Sequence, residues 1–317
     1  MKIILITQGE SKITEELFSS HYEIIGIVES APRSKKNKLQ KFCFKLITFL
    51  LKNIFKRNKG LKNFAEKRKT PYFYLSKQNY MAFDKWIEKL NPDLIVVNSM
   101  SQLLKESTIQ IPTKGIINIH PSYLPDYRGA NPLFWVYFDN CNYTGATVHY
   151  IDKGEDTGDI ILREKVLIKR GISSSELEKE IKVIGKDLII KAIELIDKDL
   201  VNRSKQELSQ TVRASNIKKH EYPELIDKTW SVERTWHFFR GTESYLPLLF
   251  KGIKDKLFLD SIEVLNFTKT NNNNLISGQI YQKNKCFYAC KDGFILFKLN
   301  YSYKKIIKIL IELLFGN

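Results

Sequence analysis

Short apolar runs separated by helix-compatible stretches are the feature that most constrains the fold of this chain. They include "KIILIT" near the start, "YEIIGIVES" from Tyr22 to Ser30, "DLIVVNS" from Asp93 to Ser99, and "GIINIH" ending at His120. Brief apolar runs bounded by polar or turn residues predict buried strands. Because strands that alternate with helices form parallel sheets, we predict an α/β protein with a Rossmann-like, mostly parallel sheet.

A long helix should close this first part of the chain. In "SSSELEKEIKVIGKDLIIKAIELIDKDL" apolar residues recur at helical spacing, and Ser175 and Glu178 fit the N-cap and capping-box positions. Beyond about residue 205 an aromatic-rich segment and short strands interrupted by Asn and Gly follow, a pattern typical of a small antiparallel unit or barrel. We therefore predict one domain over residues 1–205 and a smaller, mainly β, OB-like domain over residues 206–317 that ends in an apolar helix.

The positive charge is concentrated in one segment. The net charge is +16, but residues 33–69 hold 14 Lys and Arg against the single acid Glu66, which leaves +3 for the rest. A polyanion-binding surface over the whole protein is therefore not supported. On a helical wheel, Lys side chains of residues 38–57 form a narrow stripe and apolar side chains cover the remaining arc. We predict a basic amphipathic helical insertion over about residues 33–69. We expect its helix to pack on another helix, in this chain or in a second copy, or to contact an anionic membrane, with nucleic acid the least favoured partner.

Targeting and metal-binding patterns are not evident. Residues 1–8 form a strand-like run without a charged leader, and no stretch approaches the roughly 18 to 20 apolar residues of a membrane span. We expect a cytoplasmic protein, peripheral to the inner face of the membrane if residues 38–57 bind lipid. The four cysteines are scattered, and the close pair Cys286 and Cys290 has no second ligand pair nearby, so we expect structural thiols and no metal.

A polar pair stands at the end of one predicted strand, in "IINIHPSYLP". Side chains two residues apart on a strand point the same way, so Asn118 and His120 share a face. In open parallel sheets ligands bind at the carboxyl ends of the strands, where this segment leaves the sheet. The pair is a candidate site, although for these two residues alone a structural role in the loop stays open.

An acidic loop provides a third group. "VHYIDKGEDTGDI" contains Asp152, Glu155, Asp156 and Asp159. A carboxylate from this loop could hold the imidazole charged and oriented, while the amide and the imidazolium donate to an oxygen that gains negative charge. Such an arrangement suits attack on a carbonyl. The sequence contains no serine or cysteine nucleophile with its base in a known pattern, and no Gly-rich phosphate loop.

These segments together resemble a known family. "NIHPSYLPDYRGANP" followed by "GATVHYIDKGEDTGDI" is similar to the folate-dependent formyltransferases, which include methionyl-tRNA, glycinamide ribonucleotide and sugar N-formyltransferases. The resemblance covers roughly residues 1–205 and continues more weakly beyond. The positions that match the family pattern of N-x-H, S-x-L-P, R-G and D-x-G-D are Asn118, His120, Ser122, Leu124, Pro125, Arg128, Gly129, Asp156, Gly158 and Asp159.

The resemblance implies 10-formyltetrahydrofolate as the formyl donor and three catalytic residues. Asn118 and His120 would stabilise the oxyanion formed when an uncharged amine attacks the formyl carbon, and Asp156 would orient His120 and assist proton movement. For His149, a role in the site and strand packing both stay open. The folate should lie against "NSMSQLL" and the "KGEDTG" loop. The residues predicted to bind it are Met100, Leu103, Leu104, Ser122, Leu124, Pro125, Gly154, Glu155 and Asp156.

The family divides according to the amine that receives the formyl group. The apolar insertion and "ERTWHFFRG" resemble members that act on nucleotide-linked amino sugars for surface polysaccharide synthesis, so we predict this acceptor. The candidates to contact it, with core packing as the alternative for most of them, are then Trp230, Trp236, Phe238, Arg240 and Tyr245. A methionyl-tRNA formyltransferase and a formyltetrahydrofolate hydrolase stay as alternative functions.

Overall fold

A computed structural model describes residues 1–32, 60–250, 259–270, 275–282 and 286–301. The predicted amphipathic helix at 38–57 and the apolar run after residue 301 lie outside the described residues, so the expected membrane contact or second copy stays a prediction. Among the described helices, none has the length and apolar content needed to cross a bilayer.

The larger sheet contains seven strands. In chain order they are β1 (Lys2–Thr7), β2 (Glu23–Ser30), β3 (Tyr72–Leu75), β4 (Leu94–Asn98), β5 (Ile116–His120), β6 (Tyr143–Tyr150) and β7 (Ile160–Leu167). Their spatial order is β3-β2-β1-β4-β5-β6-β7. Strands β1 to β5 pair in parallel, whereas β6 and β7 pair antiparallel. The mostly parallel Rossmann-like sheet is confirmed, with a reversed β6 as the exception.

Helices cover both faces of this sheet. The helices are α1 (Lys12–Ser19), α2 (Leu61–Lys67), α3 (Tyr80–Leu90), α4 (Glu106–Ile109), α5 (Pro132–Phe138), α6 (Ser174–Asp197) and α7 (Val232–Gly241), with 3-10 turns at Tyr222–Leu225 and Glu243–Leu248. Alternate residues of β4 point to opposite faces: Val96 joins the core under α6, and Val97 joins the core under α3. Burial on both sides explains the continuous apolar runs in the sequence.

Helix α6 begins two residues earlier than the sequence suggested. Its N-cap is Ser173, whose side chain accepts from the N–H of Glu176 (3.3 Å), while the Glu176 carboxylate accepts from the Ser173 N–H (2.9 Å). Ser175 with Glu178 matches the same local motif, so the sequence is compatible with two positions for the start of the helix. The Arg240 guanidinium lies 3.7 Å from Glu176, and this tertiary contact favours the N-cap at Ser173.

The C-terminal part forms a second sheet. Its strands β8 (Leu259–Lys269), β9 (Ile280–Gln282), β10 (Cys286–Cys290) and β11 (Gly293–Tyr301) are antiparallel in the order β8-β11-β10-β9. Helix α7 packs on this sheet, where the Phe239 ring lies 5.1 Å from that of Tyr288. On its other side, Phe238 is fully buried 5.7 Å from Phe134 of α5. Aromatic rings therefore join the two sheets.

Candidate active site

The predicted polar residues come together at the carboxyl end of β5. Asn118 and His120 are in the last three residues of this strand, and Asn118 is paired with His149 of the neighbouring strand β6. The loop after β6 then returns over this edge and brings Asp156, which has a positive φ of 56°. Gly158 permits this return, because a Cβ there would lie 2.0 Å from the carbonyl oxygen of Tyr150.

One carboxylate stands between two imidazoles. Asp156 Oδ2 is 3.5 Å from His120 Nδ1, and Asp156 Oδ1 is 3.6 Å from His149 Nε2. The N–H of Gly129 donates to Asp156 Oδ2 at 3.0 Å. The structure thus brings together Asn118, His120 and Asp156, and it adds His149 and a backbone donor to them.

Backbone carbonyls determine which ring nitrogens carry protons. A carbonyl oxygen only accepts, so His120 Nε2 donates to the Tyr127 carbonyl at 3.0 Å and His149 Nδ1 donates to the Tyr150 carbonyl at 2.7 Å. In neutral His149, Nε2 then accepts from Asn118 Nδ2 at 3.2 Å. This bond fixes the orientation of the Asn118 amide and leaves its second Nδ2 proton for another acceptor. His149 therefore lies in the site rather than in strand packing alone.

Burial and neighbouring groups together set the pKa values of the two central groups. It lowers the pKa of His120 from its ordinary value, and the nearby Asp156 charge opposes this only in part. For Asp156, burial acts to raise the pKa, but the His120 and His149 rings and the Gly129 N–H lower it to about 2. At neutral pH the carboxylate is ionised and the His120 imidazole is neutral. The lowered pKa of His120 goes against the charged imidazole expected from the sequence, whereas the neighbouring Asp156 carboxylate favours it.

These residues form one wall of a cleft of about 470 Å³. Met100, Leu103 and Leu104 line one side, and the loop with Gly154 and Glu155 lines another. Its volume is in the range that small-molecule sites occupy, and it combines apolar side chains with a few convergent polar groups. Within the described ranges, no group of three or more His, Cys, Asp or Glu residues is placed to hold a metal ion.

Comparisons with known proteins assign the family. The sequence model described as "Formyl transferase" matches residues 49–193. The methionyl-tRNA formyltransferase of Lachnospira eligens is 31% identical over 219 residues, which cover 68% of this chain and 69% of that protein. The enzyme of the same name from Caldicellulosiruptor saccharolyticus is 33% identical over 219 residues, covering 68% of each. This chain belongs to the formyltransferase family.

Other matches to formyltransferases differ in extent. The methionyl-tRNA formyltransferase of Syntrophus aciditrophicus is 39% identical over 140 residues, so the chain spans only 45% of that protein. Among solved structures, the sugar 3N-formyl transferase WlaRD has a TM-score of 0.63 at 16% identity, covering 94% of this chain and 97% of its own. The N-formyltransferase of Helicobacter canadensis has a TM-score of 0.60 at 16% identity, covering 95% and 100%. These structural likenesses establish a shared fold that includes the C-terminal part.

Three residues predicted to bind folate do not line the cleft of this formyltransferase. Ser122 and Leu124 are fully buried, and Pro125 follows them in the same turn. Ser122 Oγ donates to the Asp126 carbonyl at 2.6 Å, and the Leu124 N–H donates to Thr147 Oγ1 at 3.1 Å. They shape the loop that places Tyr127 under His120. A short motif identifies positions that the site needs, but it does not show which of them contact a ligand and which form the turn.

The candidates for acceptor binding make contacts within the protein: Trp230 lies in the core, and Trp236 and Arg240 are half-buried beside it. Trp230 is 7% exposed and its ring lies 5.5 Å from that of Phe238. Trp236 Nε1 donates to the Leu265 carbonyl of β8 at 2.6 Å, and Arg240 Nη1 donates to Glu243 at 2.8 Å. Core packing, the alternative stated for these residues, explains them better.

Sequence reasoning missed a segment that lies against the site. Gln206, Thr211 and Arg213 contact the loops that carry the catalytic candidates: Thr211 Oγ1, for example, accepts from the Tyr127 N–H at 2.7 Å. These residues belong to an irregular connection after α6, with no apolar periodicity. A single sequence carries no signal that would have identified them.

Proposed function

We propose that this formyltransferase moves the formyl group of 10-formyltetrahydrofolate to a primary amine. The observation that carries the proposal is the convergence of Asn118, His120 and Asp156 on one wall of the cleft, with a free amide proton, a neutral imidazole and an ionised carboxylate. The donor would lie between the apolar side chains of Met100, Leu103 and Leu104 and the loop of Gly154 and Glu155. When bound, it supplies an activated formyl group.

Each catalytic candidate has a distinct task in this proposal. The amide of Asn118, held by His149, donates its remaining proton to the formyl oxygen as that oxygen gains negative charge. His120 Nδ1 is the unprotonated ring nitrogen, because Nε2 is bound to the Tyr127 carbonyl, so Nδ1 accepts the proton that the attacking amine releases. Asp156 lies 3.5 Å from Nδ1 and stabilises the imidazolium once it has formed. The imidazolium would then pass this proton to the donor nitrogen as the bond between that nitrogen and the formyl carbon breaks, and tetrahydrofolate would leave as a neutral amine.

Methionyl-tRNA is the acceptor that the sequence relatives favour. Relatives that bear this name match over two thirds of both chains at 31% and 33% identity. Charge is compatible with this acceptor: residues 206–317 contain 17 Lys and Arg against 11 Asp and Glu, a net charge of +6. Basic side chains on one domain supply the salt-dependent part of nucleic-acid binding. This acceptor takes precedence over the amino sugar predicted from sequence.

A nucleotide-linked amino sugar is the second candidate. It is favoured by the sequence pattern of residues 38–57, which on a helical wheel predicts a broad apolar arc beside the lysine stripe. Contact with tRNA phosphates needs the lysines but not so wide an apolar face. The two acceptors share the proposed chemistry at Asn118 and His120, so the experiment must vary the amine alone.

The test incubates the purified full chain with 10-formyltetrahydrofolate and one acceptor at a time. The acceptors are methionyl-tRNA, uncharged tRNA, uridine and thymidine diphosphate amino sugars, and buffer alone, with Asn118→Ala as the matched inactive variant. We expect folate turnover only with methionyl-tRNA, decreasing steeply as salt is raised. Turnover only with an amino sugar would establish the second acceptor, and turnover in buffer alone would establish a hydrolase. Turnover that Asn118→Ala leaves unchanged would overturn the proposed chemistry.

A further inference from the structure

A connecting segment, residues 204–216, lies across both loops of the site; we call it the strap. At its start, Ser204 pairs with Ile160 of β7 through two backbone bonds of 2.8 and 2.9 Å. Near its end, the Ala214 N–H donates to the Arg128 carbonyl at 2.7 Å, and the Ala214 carbonyl accepts from Asn131 at 2.9 Å. The strap is thus fixed at both ends by backbone hydrogen bonds, next to the cleft.

One side chain of the strap links the two loops. Gln206 Nε2 donates to the carbonyl of Asp156 at 2.9 Å and to the carbonyl of Gly158 at 2.7 Å. Gln206 Oε1 accepts from Arg128 Nε at 3.0 Å and from Arg128 Nη2 at 2.7 Å. Both amide protons and the amide oxygen are therefore used, and Gln206 joins the acidic loop to the segment that follows β5.

The conformation of Asp156 makes this link important. A non-glycine residue at a φ of 56° occupies a sparsely populated region, and such a residue persists where its surroundings hold it. Gln206 holds its backbone carbonyl, and Gly129, with a φ of 120°, holds its carboxylate through the bond of 3.0 Å. A Cβ at position 129 would approach the Ala214 carbonyl to 2.9 Å. The strap therefore holds the backbone of Asp156 directly through Gln206, and through Ala214 it packs against Gly129, which holds the carboxylate.

We propose that Gln206 is a positioning residue, which keeps the Asp156 carboxylate beside Nδ1 of His120. Its effect on turnover rests on the proposed function, because it acts through Asp156 and not on the substrate. The direction of its hydrogen bonds is the essential feature: two carbonyl oxygens require a donor. A residue that only accepts at this position would keep the bond to Arg128 and oppose both carbonyls.

Three variants separate this role from simple packing. Gln206→Met keeps the length of the side chain and removes all four bonds, and we expect kcat to fall roughly ten- to a hundredfold with the acceptor KM nearly unchanged. Gln206→Glu keeps an acceptor for Arg128 but places a carboxylate against two carbonyls, so it should be more impaired than Gln206→Met. Gln210→Met, the same change at an exposed strap position, should leave kcat unchanged. If Gln206→Glu is as active as the parent chain, the proposal is overturned.

A double-mutant cycle tests whether the effect passes through Asp156. In the Asp156→Asn background, Gln206→Met should cause less than about a threefold further loss, because the carboxylate that Gln206 positions is gone. A further loss as large as in the parent chain would show that Gln206 acts elsewhere and would overturn the proposal.

An activity-independent measurement keeps this proposal distinct from the proposed function. In nitrogen-15 NMR spectra of the imidazole rings, Gln206→Met should shift the resonances of His120 and His149 and leave those of His21 and His237 unchanged. Unshifted His120 and His149 resonances would overturn the positioning role even in an active enzyme. A parent chain without formyl transfer would overturn the proposed function while these shifts still reported on Gln206.

Discussion

The carboxyl edge of the parallel sheet and the C-terminal unit bury different chemistry. At the edge, the buried side chains include His120, Thr147 and His149, each with a hydrogen-bond partner. In the C-terminal unit, α7 places the rings of Phe238 and Phe239 between α5 and the second sheet. Buried polar groups must be bonded to avoid a desolvation cost, whereas buried rings contribute stability directly. The edge is therefore suited to chemistry and the aromatic unit to stability.

The largest expected effect concerns the aromatic unit. Phe238→Ala removes a fully buried ring and should lower the free energy of unfolding by about 3 to 5 kcal/mol, measured by urea denaturation. Phe287→Ala, at a half-buried ring on β10, is the matched control and should cost less. Because Phe238 does not line the cleft, the folded fraction should retain its kcat. A loss below about 1 kcal/mol would remove the contrast between the two regions.

At the carboxyl edge of the sheet, substitution should lower activity more than stability. Asn118→Ala removes the proposed donor to the formyl oxygen, so kcat/KM should fall by about two to three decades, equivalent to ~3 to 4 kcal/mol of transition-state stabilisation. Asn142→Ala, at an exposed position before β6, should retain full activity. Steady-state kinetics and thermal unfolding of both variants provide the measurement. Equal activity of the two variants would contradict the role of Asn118.

The contribution of the carboxyl edge to the free energy of unfolding should depend on pH. The pKa of Asp156 is lowered in the folded protein to about 2 from 3.8, so its ionised form stabilises the fold at pH values above 3.8. That contribution, about 2 kcal/mol, is lost as the pH falls through about 2. Unfolding free energies of the parent chain and of Asp156→Asn between pH 6 and pH 2 measure it. The variant should lose less stability over this range; parallel curves would exclude Asp156 as the source.

The smallest effect is expected at the exposed charges of the same edge. Arg213 donates to both carboxylate oxygens of Glu155, one at 2.9 Å, but its side chain is 62% exposed. Exposed ion pairs contribute at most about 1 kcal/mol. Arg213→Gln should therefore change the unfolding free energy by less than this amount, and less still at high salt. A cost of several kcal/mol would show that the exposed pair matters as much as the buried groups.

The sequence predicted the parts of the site that are local in the chain. Asn118 and His120 are two residues apart on one strand, and Asp156 lies in a loop with an evident acidic and Gly-rich composition. The reversal of β6 was not predictable in the same way, because an apolar run carries no information about strand direction. Ser173 and Ser175 both matched the capping motif, and only a distant Arg240 distinguishes them.

The contacts that the sequence did not predict join residues that are far apart in the chain. Gln206 lies 50 residues from Asp156, and its contacts arise from the path of an irregular segment. The rings of Trp230 and Phe238 could have faced a substrate or the core, and composition alone does not separate these outcomes. Folding brings α5 against α7 and thereby places both rings inside.

The position of the strap has a consequence for the order in which the molecule is completed. A shortened chain that ended at Asp197 would contain Asn118, His120 and Asp156 and every strand of the larger sheet, yet it would lack Gln206 and Ala214. During synthesis, the acidic loop would likewise emerge well before the segment that holds it. On the proposed role of Gln206, the site is completed only after the proposed catalytic residues have been made, so possession of the motif and competence for the reaction are separate events.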